Sequence, residues 1–442
     1  MTRLPPGPKG LPLVGLIPKM RRDSLRVYDE LARTYGDICT VPLGNRRPVF
    51  IFHPDLIEQV LVVQHEKFHK GFALQSMKRL FGNGLLTSEG EFWRRQRRLA
   101  QPAFHRSHIS SYGATMVDFA LRHISGWRAG ESRDVADEMM RLTMDIVVKL
   151  LFGTTVDAES LAISQCVDTI ARHEMTRFLI PIPYRWPTPG NRRANRAYRH
   201  LDEIIFGIID ERRATGEYRG DLLSTLIHLK DEDGSSMSPQ QLRDEVTTLF
   251  LAGHETTALT LSWSWYLLAQ HPVAEARMLD ELRTVLAGRE PTVDDLPQLP
   301  FTGAVLRESM RLYPPAYIIG RLSIVPFELA GYSFPAGTGV AMVPWVTHRD
   351  ARFFDAPLEF RPERWLDGLA DRLPTYAYFP FGGGPRRCIG QGFAQMEGAL
   401  LLATIASRFR FQLVAGHPVV PQPLVTLRPK HGICVTLEPR PL

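Results

Sequence analysis

FPFGGGPRRCIGQGFAQMEGALLLATIASRF, residues 379–409, carries three successive glycines, then Pro385-Arg386-Arg387, then Cys388. Glycine tolerates positive φ and lets backbone approach a flat ligand where a Cβ would obstruct it. The apolar run from about Gln391 reads as a helix, which places Cys388 just before a helix N-terminus. That helix end, the neighbouring Arg386 and Arg387 and the free amides of the loop all favour a thiolate over a thiol. An activated thiolate is a metal ligand or a nucleophile, and these residues alone leave both open. An incidental cysteine in a glycine-rich loop is the bland alternative.

The remainder of the chain bounds what such a thiolate can serve. Its 442 residues exceed the usual domain size, but the composition is uniform, so residues 1–442 are read as a single domain with a Pro-rich segment, about residues 1–20, packed on it. An apolar fraction of 44% against 23% charged residues is that of an ordinary globular chain. No window holds the roughly 18 to 20 uninterrupted apolar residues of a membrane span. The start, MTRLPPGPKGLPLVGLIPKM, lacks a signal-peptide core. No membrane span and a cytoplasmic location are expected. Cys39, Cys166, Cys388 and Cys434 stand far apart without CxxC pairs, giving neither a disulfide framework nor a zinc pattern. The net charge of +6 comes with no helix-turn-helix, zinc-finger or aromatic RNA-binding signature, so nucleic acid is set aside as a partner.

Ser24–Tyr35 reads as an amphipathic helix, and DICTVPLGNRRPVFIFH (37–53) as two strands joined at Gly44-Asn45. From Pro54 to about residue 313 the pattern is helical, with breaks at Gly71, Gly82–Gly84, Gly153, 181–190 and 231–236. The longest helix starts at Ser238-Pro239-Gln240-Gln241, a Ser N-cap with Pro in the first turn and Gln at the reciprocal capping position. It runs to Gln270, a span of about 45 Å. Its middle is mostly apolar, so AGHETT (252–257) is out of place there. Beyond Pro314-Pro315, and again over 425–439, β-branched and aromatic alternation takes over. The expected fold class is mainly α with a small β region.

Phe381, Gly384, Arg386, Cys388 and Gly390 resemble, in register, the haem-binding signature of the cytochrome P-450 superfamily. The other landmarks of that family follow in order, so the resemblance covers essentially the whole chain. It implies the P-450 fold, with haem b (iron protoporphyrin IX) between a long central helix I, here the helix after Ser238, and helix L, here the helix from Gln391. Cys388 is then the axial ligand of the iron, and Phe381, Gly384, Arg386 and Gly390 lie against the cofactor. Trp93 and Arg97 resemble the helix-C Trp-x-x-x-Arg, and Arg321 resembles a further β-strand arginine. With Arg386 these would give the haem propionates charge-assisted hydrogen bonds. Glu308 and Arg311, three apart on one helical face, would alone be a surface ion pair worth little. They resemble the family's Glu-x-x-Arg, and Pro362-Glu363-Arg364-Trp365 resembles its Pro-Glu-Arg-aromatic motif, with Trp where Phe is common. A buried structural network of Glu308, Arg311 and Arg364 is implied.

AGHETT resembles the family's oxygen-activating motif. In residue terms, Gly253 and two Thr hydroxyls weaken the helix locally, and a Thr can back-bond the carbonyl four residues earlier, leaving a polar notch in an apolar wall. Taken alone, a Thr pair satisfying itself in a buried helix explains the segment as well. The resemblance assigns Ala252 and Gly253 to the haem face, Thr256 to positioning water at bound oxygen and Glu255 to feeding protons. It also makes Phe72, Leu85, Leu86, Leu251, Ala252, Tyr317, Ile318 and Val425 pocket candidates, for each of which a plain core role is the alternative.

The activity implied is insertion of one oxygen atom of O2 into a C–H bond of an apolar substrate, with the thiolate pushing electron density to the iron to favour O–O cleavage. LPPGPKGLPLVG (4–15), GNGLLTSEGEFWRRQRRLAQPAF (82–104) and RLYPPA (311–316) are similar to bacterial members that oxidise fatty acids, carotenoids or terpenoids. No carboxylate anchor stands out in the pocket segments. Electrons are expected from a separate ferredoxin or flavodoxin type donor with its reductase, and the chain is expected to be a monomer. Arg94, Arg95 and Arg98 form either a solvated helix face or a docking surface for an acidic donor. The rival readings are a peroxide-using peroxygenase, against which Glu255-Thr256 counts, a non-catalytic haem-binding protein, and a hydrolase with Cys388 as nucleophile, for which no motif places a His.

Overall fold

The computed structural model describes residues 4–153, 162–163, 165–166, 169–170, 172–173, 183–231 and 234–440. Parts of two expected breaks, 181–182 and 232–233, lie outside these, as do residues 1–3 of the Pro-rich segment.

The chain is mainly helical with small sheets, as expected. The elements that build the site are helices α1 (Ile17–Tyr35), α2 (Gly90–Ala100), α3 (Gly113–Ile124), α4 (Val135–Phe152), α5 (Pro189–Thr215), α6 (Pro239–Gln270), α7 (Pro272–Leu286), α8 (Pro300–Leu312) and α9 (Gln391–Ala406). The start of α6 is the reciprocal cap read from the sequence: Ser238 Oγ accepts the Gln241 N–H at 3.2 Å, and Gln241 Oε1 accepts the Ser238 N–H at 2.7 Å. Its apolar residues are buried on most sides, with Trp263 among the largest side chains fully enclosed. Helix α4 lies along it closely enough that a Cβ on Gly253 would stand 3.3 Å from Val147. Thr143 seals that contact by donating to His254 O at 3.0 Å. From Met396 onward α9 is buried all round, in one large cluster with α3, α6, α7 and α8.

The largest sheet has the strand order Ile38–Thr40, Val49–Ile51, Gly339–Met342, Ile319–Ser323, Phe68–Lys70. Its register sets Lys70 opposite Arg321. A three-stranded sheet places Cys434–Pro439 between Ser132–Asp134 and Phe409–Leu413, and a short hairpin pairs Pro421–Pro423 with Leu427–Pro429. Two expectations need correction. Helix α1 begins at Ile17, and its expected part, Ser24–Tyr35, is the limb after a break at Asp23 (φ −161°, ψ 87°). The stretch from Pro54 to residue 313 also contains two strands, Phe68–Lys70 and Ser132–Asp134. Each is three residues long and paired with a segment more than 200 residues away, too short to show a period-2 pattern by itself. Among the described residues no helix is long and apolar enough to cross a membrane.

Candidate active site

The Cys388 loop is closed by its own backbone, since the Cys388 N–H donates to Phe381 O at 3.0 Å. Gly384 is required twice over. Its φ is +60°, and a Cβ there would stand 1.9 Å from Leu61 O. Tyr376, whose hydroxyl accepts the Gly384 N–H at 3.2 Å, presses on the neighbouring Gly383 in the same way.

Cys388 keeps exposed surface although neighbouring protein desolvates its sulfur. Burial pushes its thiol up, and the Gly390 amide, Arg97 and Arg387 pull it back only in part. Arg386, expected to support the thiolate, is turned elsewhere: it donates to Ser88 O at 3.0 Å, pairs with Glu89 and lies 3.7 Å over the Trp93 ring. A raised thiol is less available as a free nucleophile at neutral pH. Among the described residues no group of three or more His, Cys, Asp or Glu could hold a metal ion.

On α6, Ala252 is exposed in the middle of a buried helix, and Thr256, one turn on, is partly so. Thr256 Oγ1 donates to Ala252 O at 2.8 Å and Thr257 Oγ1 to Gly253 O at 3.2 Å. The helix runs unbroken through the motif, so the expected weakening is confined to this back-bonding. Glu255, one residue from Thr256 and therefore on another face, is bound away from the notch: Arg428 Nε and Nη2 reach its Oε1 at 2.8 and 2.7 Å, and the Thr426 hydroxyl donates to the same oxygen. Behind α6, Glu397 of α9 is wholly buried, with the Thr257 hydroxyl beside it and no charged partner among the described residues. Burial raises it to about 8.

Beside the loop, Arg321, Arg386 and a residue not singled out in the sequence, Lys70, gather around Glu89. The Lys70 N–H donates to Glu89 Oε1 at 2.6 Å, and its ammonium donates to Leu85 O. Burial, then the Arg386 and Arg321 charges, lowers Lys70 to about 7, while burial first and Arg386 second lower Arg321 to about 10. Arg97, which donates to Arg387 O at 3.0 Å, is also lowered, chiefly by burial. Such a cluster stabilises an incoming anion. Lys70 was legible only through the strand pairing with Arg321, for which FHKGF gives no local signal.

The Glu-x-x-Arg network is fully formed at 0% exposure of Glu308 and Arg311. Glu308 accepts from Arg311 (2.9 and 2.8 Å), Arg364 (3.0 Å), Trp365 Nε1 (2.9 Å) and the Arg361 N–H (3.0 Å). Arg311 in turn donates to the carbonyls of His348, Pro357 and Glu359. Leu85, Leu86 and Leu251 pack in one cluster with Trp93 and Phe250. Tyr317 and Ile318 belong to a different cluster with Tyr28 and Phe50, and the Tyr317 hydroxyl donates to Leu424 O at 2.6 Å. Phe72 and Val425 are 46% exposed, and Arg46 is stacked 3.4 Å over Phe72. Arg95 and Arg98 both pair with Asp231 and Arg94 with Glu91, so much of the charge in that run is met within the chain.

The Cys388 loop, the notch in α6 and the cations around Glu89 are features that a cofactor-dependent oxygenase would use. The cytochrome P-450 family profile matches residues 5–435. Cyclooctatin synthase of Streptomyces melanosporofaciens is 38% identical over 95% of this chain and 92% of its own length. Pentalenene oxygenase of Streptomyces avermitilis is 34% identical over 95% and 94%. The crystal structure of a cytochrome P-450DA haem domain superposes with a TM-score of 0.91 at 25% identity, covering 100% of this chain and 99% of that one. The chain belongs to the cytochrome P-450 family and is a haem-dependent monooxygenase that requires O2, a substrate and redox partners.

Proposed function

We propose that this monooxygenase hydroxylates a terpenoid or similarly apolar hydrocarbon. The reading rests on one observation, the polar notch at Ala252 and Thr256 in the otherwise apolar wall of α6. The Streptomyces relatives named for cyclooctatin and pentalenene support the substrate class. The cofactor is haem b; Cys388 would hold its iron, Arg97, Arg321, Arg386 and Lys70 would meet its carboxylates, and Phe381, Gly384, Gly390, Ala252, Gly253 and Trp93 would line it. Bound there, the thiolate-ligated haem supplies O2 activation.

The chain's own part is positional. Thr256, its hydroxyl proton given to Ala252 O, presents oxygen lone pairs to a water in the notch and so orders that water's proton. Glu255 is the nearest carboxylate in sequence to pass protons to it. The Leu85, Leu86 and Leu251 cluster keeps bulk water out, which leaves proton supply to named groups. Residues 1–442 act as one cytoplasmic, monomeric domain served by a ferredoxin or flavodoxin type donor and its reductase. Two measurements test this. Cys388→Ala should lose the thiolate-type carbon monoxide spectrum, and a spectrum unchanged by the substitution removes Cys388 as ligand. Titrating terpene hydrocarbons and fatty acids into the ferric protein should shift the Soret band with the terpenes, and a response to fatty acids alone sinks the substrate class.

A further inference from the structure

The described contacts of Glu255 fall on one oxygen and come from one element. Thr426 and Arg428 lie two residues apart on the C-terminal hairpin, the first in its turn and the second in its strand, with Leu427 between them buried in the core. Leu427 is fixed: its N–H donates to Pro315 O at 3.0 Å and its carbonyl accepts Trp263 Nε1 at 3.0 Å. The tip is different. Val425 is 46% exposed, and among the described residues the tip is tied back at Leu424, whose carbonyl accepts the Tyr317 hydroxyl. Thr426 therefore sits between a fixed point and an exposed tip, and Arg428 just beyond the fixed point. Glu255 is 15% exposed in its side chain and Arg428 34%, so the pair is shielded enough to hold and near enough to water to open.

We propose that Arg428 and Thr426 form a latch that holds the Glu255 carboxylate on the C-terminal hairpin and off the Thr256 notch, and that displacement of the hairpin tip at Val425 releases it. Arg428 and Thr426 are positioning residues, acting through Glu255. The latch rests on Glu255 serving the proton relay proposed above. It would keep proton supply low until a substrate presses on the tip, so that oxygen is not reduced in vain.

Futile turnover tests this without a substrate: two electrons from NADPH, through a surrogate ferredoxin and reductase, and two protons reduce O2 to H2O2 on the holoenzyme. Glu255→Gln should slow it. Arg428→Gln should raise it roughly fivefold, the equilibrium weight of a partly shielded ion pair, Thr426→Val should raise it less, and Arg428→Lys should restore most of the restraint. The Glu255→Gln/Arg428→Gln double variant should match Glu255→Gln alone. In thermal unfolding the two single substitutions should cost similar amounts and combine without adding, a readout independent of turnover. Unchanged or slower peroxide formation in Arg428→Gln overturns the latch while leaving the relay standing, and so does a double variant faster than Glu255→Gln. No effect of Glu255→Gln overturns relay and latch together.

Discussion

Glu308 and Glu397 are both wholly buried in the same half of the molecule, yet their surroundings are opposite. Glu308 is met by two guanidinium groups, an indole N–H and a backbone N–H. Glu397, on the helix that follows Cys388 and facing the central helix, has among the described residues no cation to meet it, only the Thr257 hydroxyl, which also donates to Gly253 O. A charge buried with full pairing makes a rigid joint, whereas one buried without pairing survives only by giving up its charge. The first glutamate braces the loop region that follows α8, and the second is held toward its protonated form by burial. The Lys70 cluster repeats the second pattern with the opposite sign: its cations outnumber its carboxylates, and Lys70 is pushed toward its neutral form.

The sharpest way to break the comparison is at Glu308. Glu308→Gln leaves Arg311 and Arg364 buried without their counter-charge and should cost about 3–5 kcal/mol, the usual penalty for orphaning a buried ion pair. Holoprotein yield and the thermal midpoint measure it, and a loss no greater than that of a surface substitution would show that the network is dispensable. Arg311→Lys should recover little, since an ammonium cannot replace the paired donors of the guanidinium.

Glu397→Gln should behave otherwise. Its folded value of about 8 lies above the ordinary 4.5, so at neutral pH the folded state holds a proton that the unfolded state has lost. Stability from this group is complete below pH 4.5 and drains away as pH rises toward 8. The Gln variant has no such slope, so its stability relative to the parent should improve by about 2 kcal/mol between pH 5 and pH 7. Parallel pH profiles for the two proteins would mean that Glu397 is ionised in the fold.

What the sequence disclosed follows the range of each interaction. The α6 cap, the Cys388 loop and the Glu308–Arg311 pair lie within a few residues, so spacing states who meets whom, while the burial of the ion pair followed only from the resemblance. The fold class was legible for the same reason, since long helices with caps and breaks dominate the chain. Lys70 beside Arg321, and Glu255 beside Arg428, are joined across more than 170 residues, and no local pattern marks them. Arg386 shows the limit from the other side: its position beside Cys388 suggested support for the thiolate, but the Trp93 ring and Glu89, reached only through tertiary packing, turn it away. Tyr317 likewise has the sequence position of a pocket residue and the packing of a core one.

The smallest expected effect is also the most specific to the cationic side of the comparison. Lys70 titrates at about 7 because burial and the charges of Arg386 and Arg321 act on it. A haem propionate placed among these cations would raise it again, so that haem binding above pH 7 takes up a proton. Haem affinity should then fall as pH climbs beyond about 7, at up to tenfold per unit for one linked proton. Lys70→Met removes the linkage: haem loss to a scavenging globin should become roughly tenfold faster at pH 6.5, a charge-assisted contact being worth about 1.5 kcal/mol or more, and almost independent of pH from 7 to 9. The protein's own unfolding should hardly change, because the Lys70 side chain braces only the carbonyls of Leu85 and Ser88. If the variant keeps the parent's pH slope, the proton is taken up elsewhere, and Lys70 is a buried strand residue with no part in holding the cofactor.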